Sequence, residues 1–285
     1  MASIISGKEL SKNIKDKLKE EIVYYKRVYK RLPQLVVILV GDDPASESYV
    51  KGKEKASLEI GMLNKTIVLP KDISEEKLLN QIDILNNDDT VDGILVQLPL
   101  PKHINKDHVL DRIDPSKDVD GFHYANVASL WQRRKGMIPC TPRGIITLLE
   151  SANINVQGKH AVVMGRSSLV GLPVSKLLLD KDATVTIVHS KTENMKEITK
   201  QADILIVAVG KPKLVTGDYI KEGAVVIDVG VNRDPQTKKL CGDCDFESCE
   251  PKASYITKVP GGVGPMTICC LMQNTIEAYL NHMEE

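Results

Sequence analysis

Two apolar rhythms run through the chain. Leu10, Ile14, Leu18 and Ile22 recur at helical spacing and give a first helix one apolar stripe. Ser6, with Glu9 three residues later, forms a capping box for its start. Residues 35–40 are unbroken apolar and predict a strand buried on both faces. Gly41-Asp42-Asp43-Pro44 turns the chain, and Ser46 is placed to cap a second helix. An apolar segment at 66–69, a helix over 74–85 and a strand at 93–96 follow. Strand alternating with helix predicts a parallel α/β sheet. Ligands of such sheets gather at the carboxyl ends of the strands. Residues 41–44 and Gln97-Leu98-Pro99-Leu100-Pro101 lie at such ends.

The second helix carries an anomaly. Tyr49, Gly52, Lys53, Ala56 and Ile60 fall on one helical face, expected to point inward, while Lys51, Glu54 and Lys55 point away. Lys53 is a charge in the middle of that stripe. Tyr49 lies one turn before it, within reach of its side chain. A desolvated lysine loses preference for its charged form and can act as a base, an acid or a polarising group. The plain alternative is a snorkelling lysine whose head reaches water. Gln97, first beyond a strand, can donate and accept toward a polar heterocycle, or it can merely tie its own loop. Asp118-Val119-Asp120-Gly121 offers carboxylates that can read a ring N–H or amino group, or it is a turn bonded to backbone. No oxygen-rich loop of the calcium type adjoins it.

Composition narrows the field. The 285 residues suffice for one large or two ordinary domains. The 38 basic and 38 acidic residues balance, which speaks against a nucleic-acid or polyanion partner. No apolar run has membrane-spanning length, and the first residues lack the pattern of a signal peptide. A soluble cytoplasmic protein with reduced cysteines is expected. Cys241, Cys244 and Cys249 lie close together, but no second close pair or nearby histidine completes a zinc set. No metal is expected.

Thr141-Pro142 reads as a helix cap followed by proline, and the domain junction is placed there. The second half begins with strand 161–164, which runs into Gly165-Arg166-Ser167-Ser168-Leu169-Val170-Gly171 and a helix through Val174, Leu177 and Leu178. A glycine-rich turn between strand and helix presents backbone N–H groups to phosphate. Its glycines are six apart, so the usual dinucleotide fingerprint is absent. Strand 184–188 ends in His189-Ser190-Lys191, where an NAD site often carries an acid for the ribose. Arg166, Ser190 and Lys191 instead suit an extra phosphate, so NADP is expected over NAD; the alternative is a solvent-filled groove. Strands at 203–209 and 224–229 follow, and Gly230-Val231-Asn232 is a candidate contact for the nicotinamide. Val259-Pro260-Gly261-Gly262-Val263-Gly264-Pro265-Met266-Thr267 lets backbone approach a flat ligand, or it is a stiff connector. The last helix is expected from about Thr267 to Met283.

Together the motifs resemble one family across nearly the whole chain. They are Ser46-Glu47-Ser48-Tyr49-Val50-Lys51-Gly52-Lys53, Asp92-Gly93-Ile94-Leu95-Val96-Gln97-Leu98-Pro99-Leu100-Pro101, Lys117-Asp118-Val119-Asp120-Gly121, the 165–171 turn and the 260–267 loop. In this order they resemble the bifunctional methylenetetrahydrofolate dehydrogenase/methenyltetrahydrofolate cyclohydrolases of the bacterial FolD type. The resemblance implies two α/β domains across a cleft, the second Rossmann-like and NADP-binding, in a homodimer. Residues 1–140 would form the catalytic, folate-binding domain, with the C-terminal helix 268–285 packed back on it, and residues 141–267 the NADP domain. It implies Lys53 as the central catalytic residue with Tyr49 beside it. Gln97 would position the one-carbon bridge, and Asp120 would anchor the pterin. Leu98, Gly261, Gly262, Val263, Gly264 and Pro265 would line the tetrahydrofolate site. Gly165, Arg166, Ser167, His189, Ser190 and Val231 would hold NADP. Cys241-Gly242-Asp243-Cys244 departs from the apolar residues that relatives usually carry around that Gly-Asp. Rival readings are another two-domain dehydrogenase, against which the lysine helix and the 260–265 loop speak, and a catalytically inactive NADP-binding regulatory module, which leaves Lys53 unexplained.

Overall fold

A computed structural model describes residues 2–284. Met1 and Glu285, the ends of the expected domain ranges, lie outside the described residues. The chain runs β1 (Ser3–Ile5), α1 (Gly7–Tyr29), β2 (Gln34–Val40), α2 (Pro44–Ile60), β3 (Leu63–Leu69), α3 (Glu75–Asn86) and β4 (Gly93–Val96). It continues through α4 (Lys106–Leu110), α5 (Tyr124–Trp131), α6 (Cys140–Ser151), β5 (His160–Met164), α7 (Gly171–Asp180) and β6 (Thr184–Val188). Then come α8 (Met195–Thr199), β7 (Ile204–Val207), β8 (Val225–Asp228), β9 (Asn232–Arg233), β10 (Leu240–Cys241), α9 (Phe246–Cys249), β11 (Tyr255–Thr257) and α10 (Val263–Glu284).

The chain divides into two compact units, each assembled from separated stretches. One, here the lysine unit, comprises Asn13–Cys140 and Ile268–Glu285; the other, the glycine-turn unit, comprises Met1–Lys12 and Thr141–Thr267.

The lysine unit holds a parallel sheet in the order β3-β2-β4. Central β2 is buried along nearly its whole length, as its unbroken apolar run requires. Edge strand β3 leaves Leu63 and Val68 exposed. Val36, Ile38 and Val40 of β2 pack with Leu78 and Ile82 of α3 and Ile94 of β4. The later turns of α10 close the core with Leu271, Met272, Ile276 and Tyr279, all buried. Arg31 lies 4.8 Å from the Tyr279 ring centroid and forks onto buried Asp92 at 2.8 and 2.7 Å.

The glycine-turn unit holds a six-stranded sheet, β1-β11-β8-β7-β5-β6, with every pairing parallel. From β5 the chain adds β6 on one side and β7 then β8 on the other. The order therefore reverses at β5, a topological switch point whose carboxyl end is where such sheets bind ligands.

Several boundaries differ from expectation. Helix α2 is capped by the Asp43 side chain, which accepts from Ser46 N at 2.8 Å; Ser46 itself is buried inside the helix. Helix α6 begins at Cys140, so Thr141 and Pro142 sit in its first turn, where proline's missing N–H costs little. For the same reason α10 starts at Val263, four residues ahead of Thr267, with Pro265 inside its first turn. The first twelve residues cluster with the glycine-turn unit, because Ser3, Ile4 and Ile5 pair with Tyr255, Ile256 and Thr257.

Candidate functional site

In the lysine unit, α2 brings Lys53 beneath the carboxyl end of β4. Its Nζ donates to Gln97 Oε1 at 2.8 Å, and Gln97 Nε2 donates to the Leu98 carbonyl at 2.6 Å. The loop thus fixes which end of the Gln97 amide faces the lysine. Asp120 reaches the same place along another path. Segment 117–119 runs beside β4, with Ile94 N donating to the Lys117 carbonyl at 2.8 Å. Lys117 turns away and caps the end of α3, its Nζ donating to the carbonyls of Leu85, Asn86 and Asp88. Asp118 holds the turn, accepting from Gly121 N, His123 N and Asn126 Nδ2. Of the two neighbouring carboxylates, Asp118 builds the turn and Asp120 faces the lysine.

The electrostatics follow from burial. Desolvation pushes Lys53 below the usual lysine range, opposed by the negative charge of Asp120 and by Cys140. Burial pushes Asp120 above the usual carboxylate range, opposed by Lys53 and reinforced by Asp118. Cys140, which sequence reasoning passed over, is buried here, its thiol donating to the Val119 carbonyl at 3.3 Å. Burial, with Asp120 next, raises that thiol well above its ordinary range, so it stays protonated. A lysine whose hold on its proton is weakened by burial, beside an amide and a carboxyl, can exchange a proton with a bound substrate.

The inward stripe of α2 is rotated from the expected one. Ser46, Val50, Ala56, Ser57 and Ile60 are buried, Lys53 is half-buried, and Tyr49 is 47% exposed at the edge of the stripe. Tyr49 still lies one turn before Lys53 on the helix.

In the glycine-turn unit, Gly165 follows β5 with φ +117°, and a side chain there would collide with the Ala208 carbonyl. One on Gly171 would collide with the Gly165 carbonyl. The six-residue spacing therefore performs the close approach that the usual fingerprint performs with three glycines. Ser167 Oγ accepts from Val170 N and Gly171 N at 3.2 and 3.3 Å, shaping the turn into α7. Arg166, Ser167, Ser190 and Lys191 are exposed around it. His189 is half-buried and uses Nδ1 to accept from Lys191 N at 3.2 Å, which holds the Ser190 bend. Val231 stands exposed after β8. This open cradle at the switch point fits a dinucleotide phosphate.

Residues 261–265 also belong to this unit. The Gly261 carbonyl accepts from Lys8 N at 2.9 Å; Gly262 and Val263 are buried, and Gly264 and Pro265 are half-buried at the start of α10.

Asp243 and Asp228 escaped the sequence reading. Asp243 accepts from Val209 N, Gly210 N and Lys211 N at 2.7, 2.9 and 2.9 Å, and from Asn232 Nδ2 at 2.8 Å. It ties the loop after β7 to the start of β9. Asp228 accepts from Gly230 N, Asp243 N and Cys244 N, and burial lifts its carboxyl to about 6. The clue was the Gly242-Asp243 pair inside the cysteine stretch. The thiols themselves turn inward: Cys241, Cys244 and Cys249 are buried, and Cys249 donates to the Val215 carbonyl.

Comparison with known proteins accounts for both units. Residues 5–120 match the tetrahydrofolate dehydrogenase/cyclohydrolase catalytic domain, and residues 139–283 match the NAD(P)-binding domain of the same family. The chain is 57% identical over 278 residues to the bifunctional protein FolD of Bacillus anthracis, covering 98% of this chain and 96% of that one. It superposes on the crystal structure of the bifunctional enzyme FolD from Campylobacter jejuni with a TM-score of 0.96, at 48% identity and 99% coverage of both chains. The Trypanosoma brucei methylenetetrahydrofolate dehydrogenase-cyclohydrolase, solved with NADP and an inhibitor, aligns with a TM-score of 0.94 at 40% identity, covering 98% of each. With Lys53, Gln97 and Asp120 gathered in one unit and a dinucleotide cradle in the other, the chain belongs to the tetrahydrofolate dehydrogenase/cyclohydrolase family.

Proposed function

We propose that the chain oxidises 5,10-methylenetetrahydrofolate with NADP and then hydrolyses the 5,10-methenyl product to 10-formyltetrahydrofolate. The observation that carries this reading is the depressed lysine, Lys53, bonded to Gln97 and facing Asp120. In the first step the methylene carbon loses a hydride, which NADP accepts when bound. The folate product is a cation, so a neutral Lys53 avoids a second positive charge beside it. In the second step water attacks that carbon and Lys53 takes a proton from it. The carbon–N5 bond breaks, N5 becomes an N–H, and one proton leaves to solvent. Gln97 orients the Lys53 side-chain nitrogen and the one-carbon bridge. Asp120 anchors the pterin, with Tyr49 and Leu98 and the 261–265 loop as further folate contacts. Gly165, Arg166, Ser167, His189, Ser190 and Val231 hold NADP, and Arg166 with Ser190 takes the ribose phosphate.

The same reading makes the protein a cytoplasmic homodimer paired through the glycine-turn unit. Six buried cysteine thiols are consistent with a reducing compartment. No helix among the described residues is long and apolar enough to cross a membrane. The test is a paired assay. Purified protein receives 5,10-methylenetetrahydrofolate with NADP or NAD, and separately 5,10-methenyltetrahydrofolate alone. Reduction faster with NADP, and methenyl loss above the uncatalysed rate, are expected. Nucleotide binding without either turnover would leave the inactive regulatory module.

A further inference from the structure

We propose that Asn274, on the last helix, is a positioning residue for folate binding: it sets where Asp120 presents its carboxyl. The inference rests on the folate reading of the Lys53 site and adds a residue to it. Asn274 is wholly buried in the lysine unit. Its Nδ2 donates to the Val119 carbonyl at 2.8 Å and to the Ile138 carbonyl at 2.9 Å. An amide nitrogen carries two hydrogens, one for each carbonyl. Val119 is the residue before Asp120. Ile138 leads into Cys140, whose thiol lies 3.5 Å from the same Nδ2 and donates back to the Val119 carbonyl. One side chain therefore clamps the two segments that flank the Asp120 carboxyl.

The helix that carries Asn274 is itself indexed to the site. Ile268 packs over Gly52, the residue before Lys53. Ser57, one turn beyond Lys53, donates to the Met272 sulfur at 3.3 Å. The Thr275 methyl and Val119 together occupy the space left by the missing side chain of Gly93, which opens the strand that leads into Gln97. These contacts touch the elements bearing Lys53, Gln97 and Asp120. Among them Asn274 makes a directional polar link to the Asp120 turn. Hydrogen-bond geometry fixes position more narrowly than apolar packing does, so losing the link frees the turn while leaving the helix in place.

A core asparagine with only a structural role would lower stability and leave substrate affinity alone. The test therefore compares Asn274→Ala, Asn274→Ser, Asp120→Asn and Asn281→Ala in the full chain. The measurements are KM for 5,10-methylenetetrahydrofolate, kcat per folded active site, Kd for NADP and the melting temperature. Asn274→Ala is expected to raise the folate KM about tenfold, as for one lost hydrogen bond, with the Kd for NADP changed less than about twofold. Asn274→Ser, which retains a donor for one carbonyl, should recover part of the loss, and it carries the test if the alanine variant fails to fold. Asn281→Ala, whose partner is the Lys135 ammonium at the surface, should keep the wild-type KM. A lowered melting temperature with unchanged KM in both Asn274 variants, while Asp120→Asn raises KM, would overturn the role of Asn274 alone. Unchanged KM in folded Asp120→Asn would overturn the folate reading beneath it.

Discussion

Lys53 acquires its reactivity from where its helix places it. A lysine on an exposed face keeps its proton at neutral pH; this one is desolvated, and the resulting depression is limited by Asp120. The proton acceptor is the neutral form. The cyclohydrolase rate should therefore rise with pH through the depressed lysine value and level off below the ordinary 10.5. Asp120 raises the lysine value, so Asp120→Asn at saturating substrate should move that limb to lower pH. Initial rates across pH, corrected for uncatalysed hydrolysis, check both statements. A rate independent of pH would contradict them. Lys53 was legible because helical periodicity put a charge among apolar neighbours, and Gln97 because it follows a buried strand. Their 2.8 Å bond joins residues 44 apart in sequence and exists only because α2 packs on β2 and β3, beside the carboxyl end of neighbouring β4. Tyr49 was expected to face inward. The buried set on α2 includes Val50 and Ser57 instead, one step round the helix, which leaves the tyrosine ring at the edge of the stripe.

At the scale of elements, sheet edges and helix starts do the positioning. The loop after β7 carries no regular structure, and the carboxylate of Asp243 holds it through three backbone donors and ties it to the start of β9 through a fourth, Asn232. Asp243→Ala would orphan three backbone N–H groups and the Asn232 amide at once. The expected outcome is at least about tenfold weaker NADP binding, with folate-site hydrolysis of the methenyl substrate retained. Titration of the variant with NADP, beside a cyclohydrolase assay, measures both. Equal loss of the two would show that Asp243 supports the whole fold. Strands β2, β4, β5 and β6 could be read from apolar runs that end in glycine or polar residues. The start of α10 could not. Three glycines and two prolines read as loop, yet proline is tolerated in a first helical turn, and the helix begins at Val263.

Across the whole molecule, each unit is completed by a remote end of the chain. Strand β1 finishes the six-stranded sheet, and the later part of α10 finishes the core around β2 and β4. The second of these was expected from family resemblance. The first was hidden, because β1 is three residues long and only Ile5 is buried, too little pattern to announce a strand. Its partner lies about 250 residues away. Tyr279 shows what the closing helix contributes. It is fully buried, packs against Tyr25, Tyr29 and Arg31, and donates to the Arg31 carbonyl at 3.1 Å. Tyr279→Ala should destabilise the lysine unit by about 3–5 kcal/mol, the range for removing a large buried aromatic. Urea unfolding followed by circular dichroism measures it. A loss under about 1 kcal/mol would mean that the helix end contributes little to that core.

The central claim is that Lys53 moves the proton in hydrolysis, and Lys53→Met tests it most directly because methionine keeps the length and apolar stem without an amine. The measurement is the rate of 5,10-methenyltetrahydrofolate loss, with folding verified by circular dichroism and NADP binding. A rate reduced to near the uncatalysed value in a folded, NADP-binding variant is the predicted result. A folded variant that hydrolyses the substrate within about twofold of the wild-type rate would contradict the account.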